Sequence, residues 1–103
     1  MAEAFSYKLT TENELFAFDF SQVLASGETL STASCSVIVM NGTDPSPSSI
    51  LVGVAAISGA KANQRISGGV SEVTYRLIMT VTTSLGNTYT SVGDLPVYSS
   101  DLV

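Results

Sequence analysis

Chemistry in this chain would have to come from carboxylates, hydroxyls and one thiol, because the sequence contains no histidine. A Ser-His-Asp or Cys-His nucleophile and a His-ligated metal centre are therefore excluded by composition. Paired carboxylates are the one acid–base device left, the arrangement by which glycosidases flank a scissile bond. Asp19, Glu28, Asp44, Glu72 and Asp94 do not form such a pair; they fall at separate turns and strand ends, with no tryptophan to carry a sugar ring. No catalytic residue is assigned, and the chain is read as a non-enzyme. Calcium prefers hard oxygens, which Asp44 or Asp94 would offer with loop carbonyls. Without a D-x-D spacing they are read as solvated loop acids, so no metal, cofactor or small-molecule substrate is assigned.

Cys35 alternates with Val37 and Val39, the position of a reduced core thiol rather than a nucleophile. Asn41-Gly42-Thr43 matches a glycosylation sequon, but Asn-Gly is equally a turn dipeptide, since both residues tolerate positive φ. Gly68-Gly69 lacks the lysine and following helix of a phosphate-binding loop and reads as a corner between strands.

Four basic residues, Lys8, Lys61, Arg65 and Arg76, stand against nine acidic ones for a net charge of −5. That is a poor footprint for nucleic acid, whose affinity rests on cations neutralising phosphates. The longest apolar stretch, residues 50–57, is far shorter than the roughly 20 residues of a membrane helix and reads as a buried strand. Met1-Ala2-Glu3-Ala4-Phe5 has no basic, then apolar, signal pattern, and one cysteine cannot form an intrachain disulfide. Synthesis in a cytosol is the expectation, with neither nucleic acid nor membrane as partner.

Charged residues make up 13% of the chain, against about 25% in an average soluble domain. Such a surface suits a subunit packed against neighbours, because charges are depleted at interface cores. It also suits an ordinary Ser/Thr-rich β domain.

The elements that would position these groups read as strands. Phe16, Phe18 and Phe20 share one face of residues 14–20 at period two. Residues 34–40 form a second strand ending at Asn41-Gly42. Asp44-Pro45-Ser46-Pro47-Ser48-Ser49 is a loop, because each proline removes a ladder donor. Residues 50–57 and 62–66 follow as a hairpin closed by Ser67-Gly68-Gly69. The clearest alternation puts Val73, Tyr75, Leu77, Met79 and Val81 on one face, with Ser84-Leu85-Gly86-Asn87 turning the chain back into residues 88–92. Gly93-Asp94 reads as a bulge and Pro96 as a strand edge or end. Tyr75 stands either as a tyrosine corner or as a core aromatic with a solvent-reaching hydroxyl.

These short strands, with turns every 8–12 residues, predict an all-β, immunoglobulin-like antiparallel sandwich of about seven strands. Residues 1–11 are an N-terminal arm or first strand, 12–97 the sandwich domain and 98–103 a C-terminal tail. An arm would meet a neighbouring subunit by β-augmentation at a sheet edge. Candidate contact residues are Asp44, Pro45, Ser46 and Pro47 in the proline-stiffened loop, continuing through Ser49, and Arg65 on an otherwise neutral strand. A stiff loop loses less entropy on binding, though it also serves simply as a connection.

The ordered series Phe18-Asp19-Phe20-Ser21, Leu24-Ala25-x-Gly27-Glu28-Thr29-Leu30, Asp44-Pro45-Ser46-Pro47-Ser48, Ile57-Ser58-Gly59, Ser67-Gly68-Gly69-Val70, Thr74-Tyr75-Arg76-Leu77, Val81-Thr82-Thr83-Ser84-x-Gly86 and Leu95-Pro96-Val97 resembles small virion structural proteins of tailed bacteriophages, the fiber–tail adaptor type. It spans residues 16–97. The resemblance implies an immunoglobulin-like fold and a non-enzymatic virion protein, made in the bacterial host cytoplasm. It would act as an adaptor at the tail, neck or fibre attachment, with other phage structural proteins as partners and a homo-oligomeric state. A capsid decoration protein is a close variant. A glycan- or host-surface-binding module is the rival from another class, with Tyr7, Tyr89 and Tyr98 as available rings.

Overall fold

The computed structural model describes residues 2–5 and 7–102. Eight strands succeed one another: β1 (Ala2–Ala4), β2 (Lys8–Leu9), β3 (Asn13–Asp19), β4 (Leu30–Asn41), β5 (Leu51–Ser58), β6 (Lys61–Ser67), β7 (Val73–Thr83) and β8 (Thr88–Tyr98), with 3₁₀ turns at Pro47–Ile50 and Ser100–Leu102. One sheet has the order β3-β6-β5, antiparallel throughout. The other runs β8-β7-β4, also antiparallel, with β1 and β2 both added in parallel along the outer edge of β8. β1 and β2 share one edge, so the two-sheet sandwich has seven strand positions, an order compatible with the immunoglobulin-like arrangement.

The core forms where the period-two patterns meet. Val73, Tyr75, Leu77, Met79 and Val81 of β7 are almost wholly buried, as are Leu95 and Val97 of β8. They face Phe16, Phe18 and Phe20 from and just after β3, with Ala62 and Ile66 of β6. Each large side chain removed from water contributes roughly 1.5–3 kcal/mol. The alternation therefore fixes the strand register, since a one-residue slip would turn this whole set to solvent.

The run at residues 50–57 departs from its reading as a buried strand. Ile50 is buried, at the end of the 3₁₀ turn, but β5 is the outer strand of its sheet and Val52, Val54 and Ile57 are exposed. Its pairing with β6 breaks between Val52 and Ala56, and Gly53 there has φ +70°. Val54, on this bulge, is 91% exposed. The buried Gln64 amide compensates the broken ladder from the inner face by donating to the carbonyls of Val52 (3.2 Å) and Gly53 (3.3 Å).

β8 departs from expectation in two ways. Gly93 and Asp94 are not bulged; they pair in register with Leu77 and Arg76. Gly93 is instead where the Phe5 ring packs, since a Cβ on it would overlap Phe5 Cε2. The ring stands 5.0 Å from that of Phe16 and 5.5 Å from that of Phe18, centroid to centroid. Pro96 lies within an inner strand, not at an edge. The carbonyls of Asp94 and Tyr98 accept from Phe5 and Thr10 N–H groups, so the missing Pro96 donor points toward the same neighbour, between the stretches paired with β1 and β2. That break lets the sheet interior accept a proline.

The N-terminal segment thus lies along its own chain's β8 (Ala2↔Val92, Lys8↔Val97). Within the chain, residues Ala2–Ala4 and Lys8–Leu9 extend the β8 edge of the sheet.

Candidate interaction surface

At one end of the sandwich the Tyr75 hydroxyl ties two loops together. It accepts a hydrogen bond from Val70 N–H (2.9 Å) and donates to Asp44 Oδ2 (2.6 Å). This is the tyrosine-corner alternative, with the hydroxyl held inside rather than reaching water. Burial, with the Asp44 contact, pushes the Tyr75 pKa up to about 12. Asp44 Oδ1 also accepts from Ser46 N–H at 2.9 Å. Asp44 therefore shapes the loop, Pro47 opens the 3₁₀ turn, and Pro45 and Ser46 remain as the exposed tip.

The same end holds a group that sequence reasoning missed. Lys8 is fully buried, its ammonium donating to the carbonyls of Gly68 (2.6 Å) and Leu9 (2.8 Å). Desolvation lowers its pKa, and the nearby Glu12 and Glu14 carboxylates oppose that shift. Nothing local marks this lysine, because lysine is almost never fully buried without partners and here the partners are backbone groups, one of them 60 residues away.

The opposite end is closed by Glu28. Its Oε1 accepts from Ala25 N–H (2.9 Å), and its Oε2 accepts from Thr83 Oγ1 (2.5 Å) and Asn87 Nδ2 (2.8 Å). These hydrogen bonds, that of Thr83 foremost, hold the Glu28 carboxyl below its ordinary pKa. The scattered acids of the sequence are thus largely structural ties. Among the described residues, no group of three His, Cys, Asp or Glu side chains could hold a metal ion. No helix is long and apolar enough to cross a membrane.

Arg65 lies elsewhere, on the exposed face of the β3-β6-β5 sheet. Its register neighbours are Leu15 and Val52, both exposed, and its Nη1 donates to Asn13 Oδ1 at 3.1 Å. Its hydrogen bond goes to Asn13, not to the loop at residues 44–49. On the outer face of the other sheet, Ser34, Thr80 and Thr90 lie in one register row and Ser36, Ile78 and Val92 in the next. The charges on that face, Arg76 and Asp94, neutralise each other through two hydrogen bonds of 2.7 and 3.0 Å. Of the tyrosines, Tyr75 is buried, Tyr89 packs against the core, and Tyr7 meets Tyr98 edge-on at 6.0 Å.

The least self-contained surface is the side where the sandwich leaves β4 and β5 as edges. Neither strand carries a charged residue. Ile38 and Met40 of β4 and Val52, Val54 and Ile57 of β5 are exposed there or beside it. Between the two strands lies a shallow cleft of about 170 Å³, lined by Ala33, Ser34 and Cys35 on one side and Gly53, Val54 and Ala55 on the other, with Gln64 at its base. Cys35 is half-buried and packs against the core, and desolvation pushes its pKa up to about 11.

The polar side chains at the two ends of the sandwich are thus spent on internal ties, and its β4 and β5 edges carry no charge. The family described as podophage GP4 fiber-tail adaptor protein gp77 matches residues 8–95, and the chain belongs to that family. Neither curated proteins nor solved structures give a match.

Proposed function

We propose that this protein is a non-enzymatic virion component that joins fibre to tail by protein–protein contacts across uncharged β surfaces. The observation that carries this reading is β5. Its sequence, Leu-Val-Gly-Val-Ala-Ala-Ile-Ser, has the composition of a strand covered on both faces, yet it stands as an open edge with Val54 almost fully exposed. Contiguous exposed apolar surface marks an interaction site. Family membership supplies the partners, phage tail and fibre proteins.

The elongated shape, 47 × 22 × 21 Å, suits a spacer whose ends meet different proteins. Pro45 and Ser46, presented by Asp44 and Pro47, are the contact tip of one end, and Arg65 between Leu15 and Val52 is a contact on the flank. The tip is pre-organised by the Tyr75–Asp44–Val70 tie, so little entropy is lost on docking. The test is reconstitution: purified protein is mixed with isolated tails and isolated fibres, separately and together. A ternary complex that forms only when the protein is present supports the reading, and binding to neither component refutes it.

A further inference from the structure

We infer that a second copy of this chain covers the β4 edge, β4 of one subunit pairing antiparallel with β4 of the other. This rests on the reading of the protein as an assembly component and names the surface that the copies share.

The four sheet edges are not equivalent. The β8 edge is occupied by β1 and β2. The β3 edge carries Glu14 and Asp19. The β5 edge is bent by the bulge at Gly53. Charges and bulges are how edge strands avoid pairing with other chains. β4 has neither charge nor proline along its 12 residues, and its register with β7 is unbroken from Thr32 to Val39. On its other side it pairs with no strand among the described residues. Hydrogen-bond direction, carried across the sheet from the Asp94 and Tyr98 carbonyls that face β1 and β2, turns the backbone N–H and C=O of Ala33, Cys35, Val37 and Val39 toward that free side.

Two features make a copy of this chain the occupant. The chain has net charge −5, so like copies approach best where no carboxylate is carried, and β4 and β5 carry none. The same edge also presents both a knob, Val54, and a hollow, the cleft between β4 and β5. A two-fold contact needs both halves of the fit on one patch, because the same surface is used by each partner.

A two-fold axis through an antiparallel strand pair passes at a single residue, and the unbroken stretch from Thr32 to Val39 is centred beside Cys35 and Ser36. The experiment is a cysteine scan of the full chain. In a Cys35→Ala background, one cysteine at a time is placed at positions 33, 34, 36, 37 and 38, with native Cys35 as the sixth, and disulfide formation is driven with copper–phenanthroline. Light scattering gives the mass of each variant and of Ser34→Lys/Ser36→Lys, whose substitutions sit on exposed positions. Expected are a dimer, crosslinking concentrated at one position, and at least a tenfold weaker association for the double lysine variant with an unchanged circular dichroism spectrum. A monomer at all concentrations, equal crosslinking at every position, or full association of the folded lysine variant overturns the inference. A monomer that still bridges tail and fibre would leave the adaptor reading standing while this one falls.

Discussion

The Tyr75 hydroxyl donates to Asp44 Oδ2 at 2.6 Å across 31 residues of sequence while accepting from Val70 N–H. One phenol therefore anchors both the proline loop and the glycine corner. Tyr75→Phe removes that group and leaves the part-buried Val70 N–H and Asp44 Oδ2 without this partner, at a cost of about 1–3 kcal/mol. Urea unfolding should show it as a lower midpoint with an unchanged slope. Asp44→Ala should cost less in the Tyr75→Phe background than in the native chain, the remainder being its bond to Ser46 N–H, and full additivity would show that the two residues do not act as a pair.

The tie also predicts a response to alkali. Tyr75 has its pKa raised to about 12, above an unfolded value of about 10. The folded state holds this proton more tightly, so the stability it contributes is complete below pH 10 and declines as pH rises from about 10 to 12. Stability measured across that window should fall more steeply for the native chain than for Tyr75→Phe.

Glu28 has the opposite sign at the opposite end. Its folded pKa is lowered by Thr83, Ala25 and Asn87, so its contribution is present above the ordinary glutamate range and is lost as pH falls through the lowered value. Glu28→Gln should reduce the urea midpoint at pH 7 and flatten its decline toward acid. An acid profile parallel to that of the native chain would contradict this.

Phe5 and Gly93 form a knob and its seat. Gly93→Ala places a methyl where the ring lies, and overpacking of this kind costs about 1–3 kcal/mol. Hydrogen exchange should rise in β1 and β2 while β3 to β7 stay protected. Adding Phe5→Ala to Gly93→Ala should restore part of the lost stability, because the clash then disappears.

Cys35, with a pKa near 11, is ionised in only about one molecule per thousand at pH 8. Its reaction with iodoacetamide at pH 8 should be correspondingly slow in the folded protein and rise sharply in urea.

The sandwich was legible in the sequence wherever alternation was strong. Val73 to Val81 and Phe16 to Phe20 carry the period-two signal by themselves, and turns such as Asn41-Gly42 have local chemistry. Residues 50–57 misled because composition reports only that a strand is apolar; whether the neighbour covering it belongs to the same chain is not a local property. Gly93 read as a bulge because its reason, the Phe5 ring, comes from 88 residues earlier. Lys8 gave no signal for the same cause, since the Gly68 carbonyl that holds its ammonium is placed by tertiary structure. Asp44 is legible in the sequence only as a loop acid; its bonds to the Tyr75 hydroxyl and Ser46 N–H depend on the fold bringing β7 to the loop.

Particles from a phage lacking this gene test the adaptor account most directly, imaged by cryo-electron microscopy beside the complemented phage. The account expects tails that assemble without attached fibres, free fibre protein in the lysate, and restoration when the native chain is supplied. Particles that keep their fibres in the absence of this protein would contradict it.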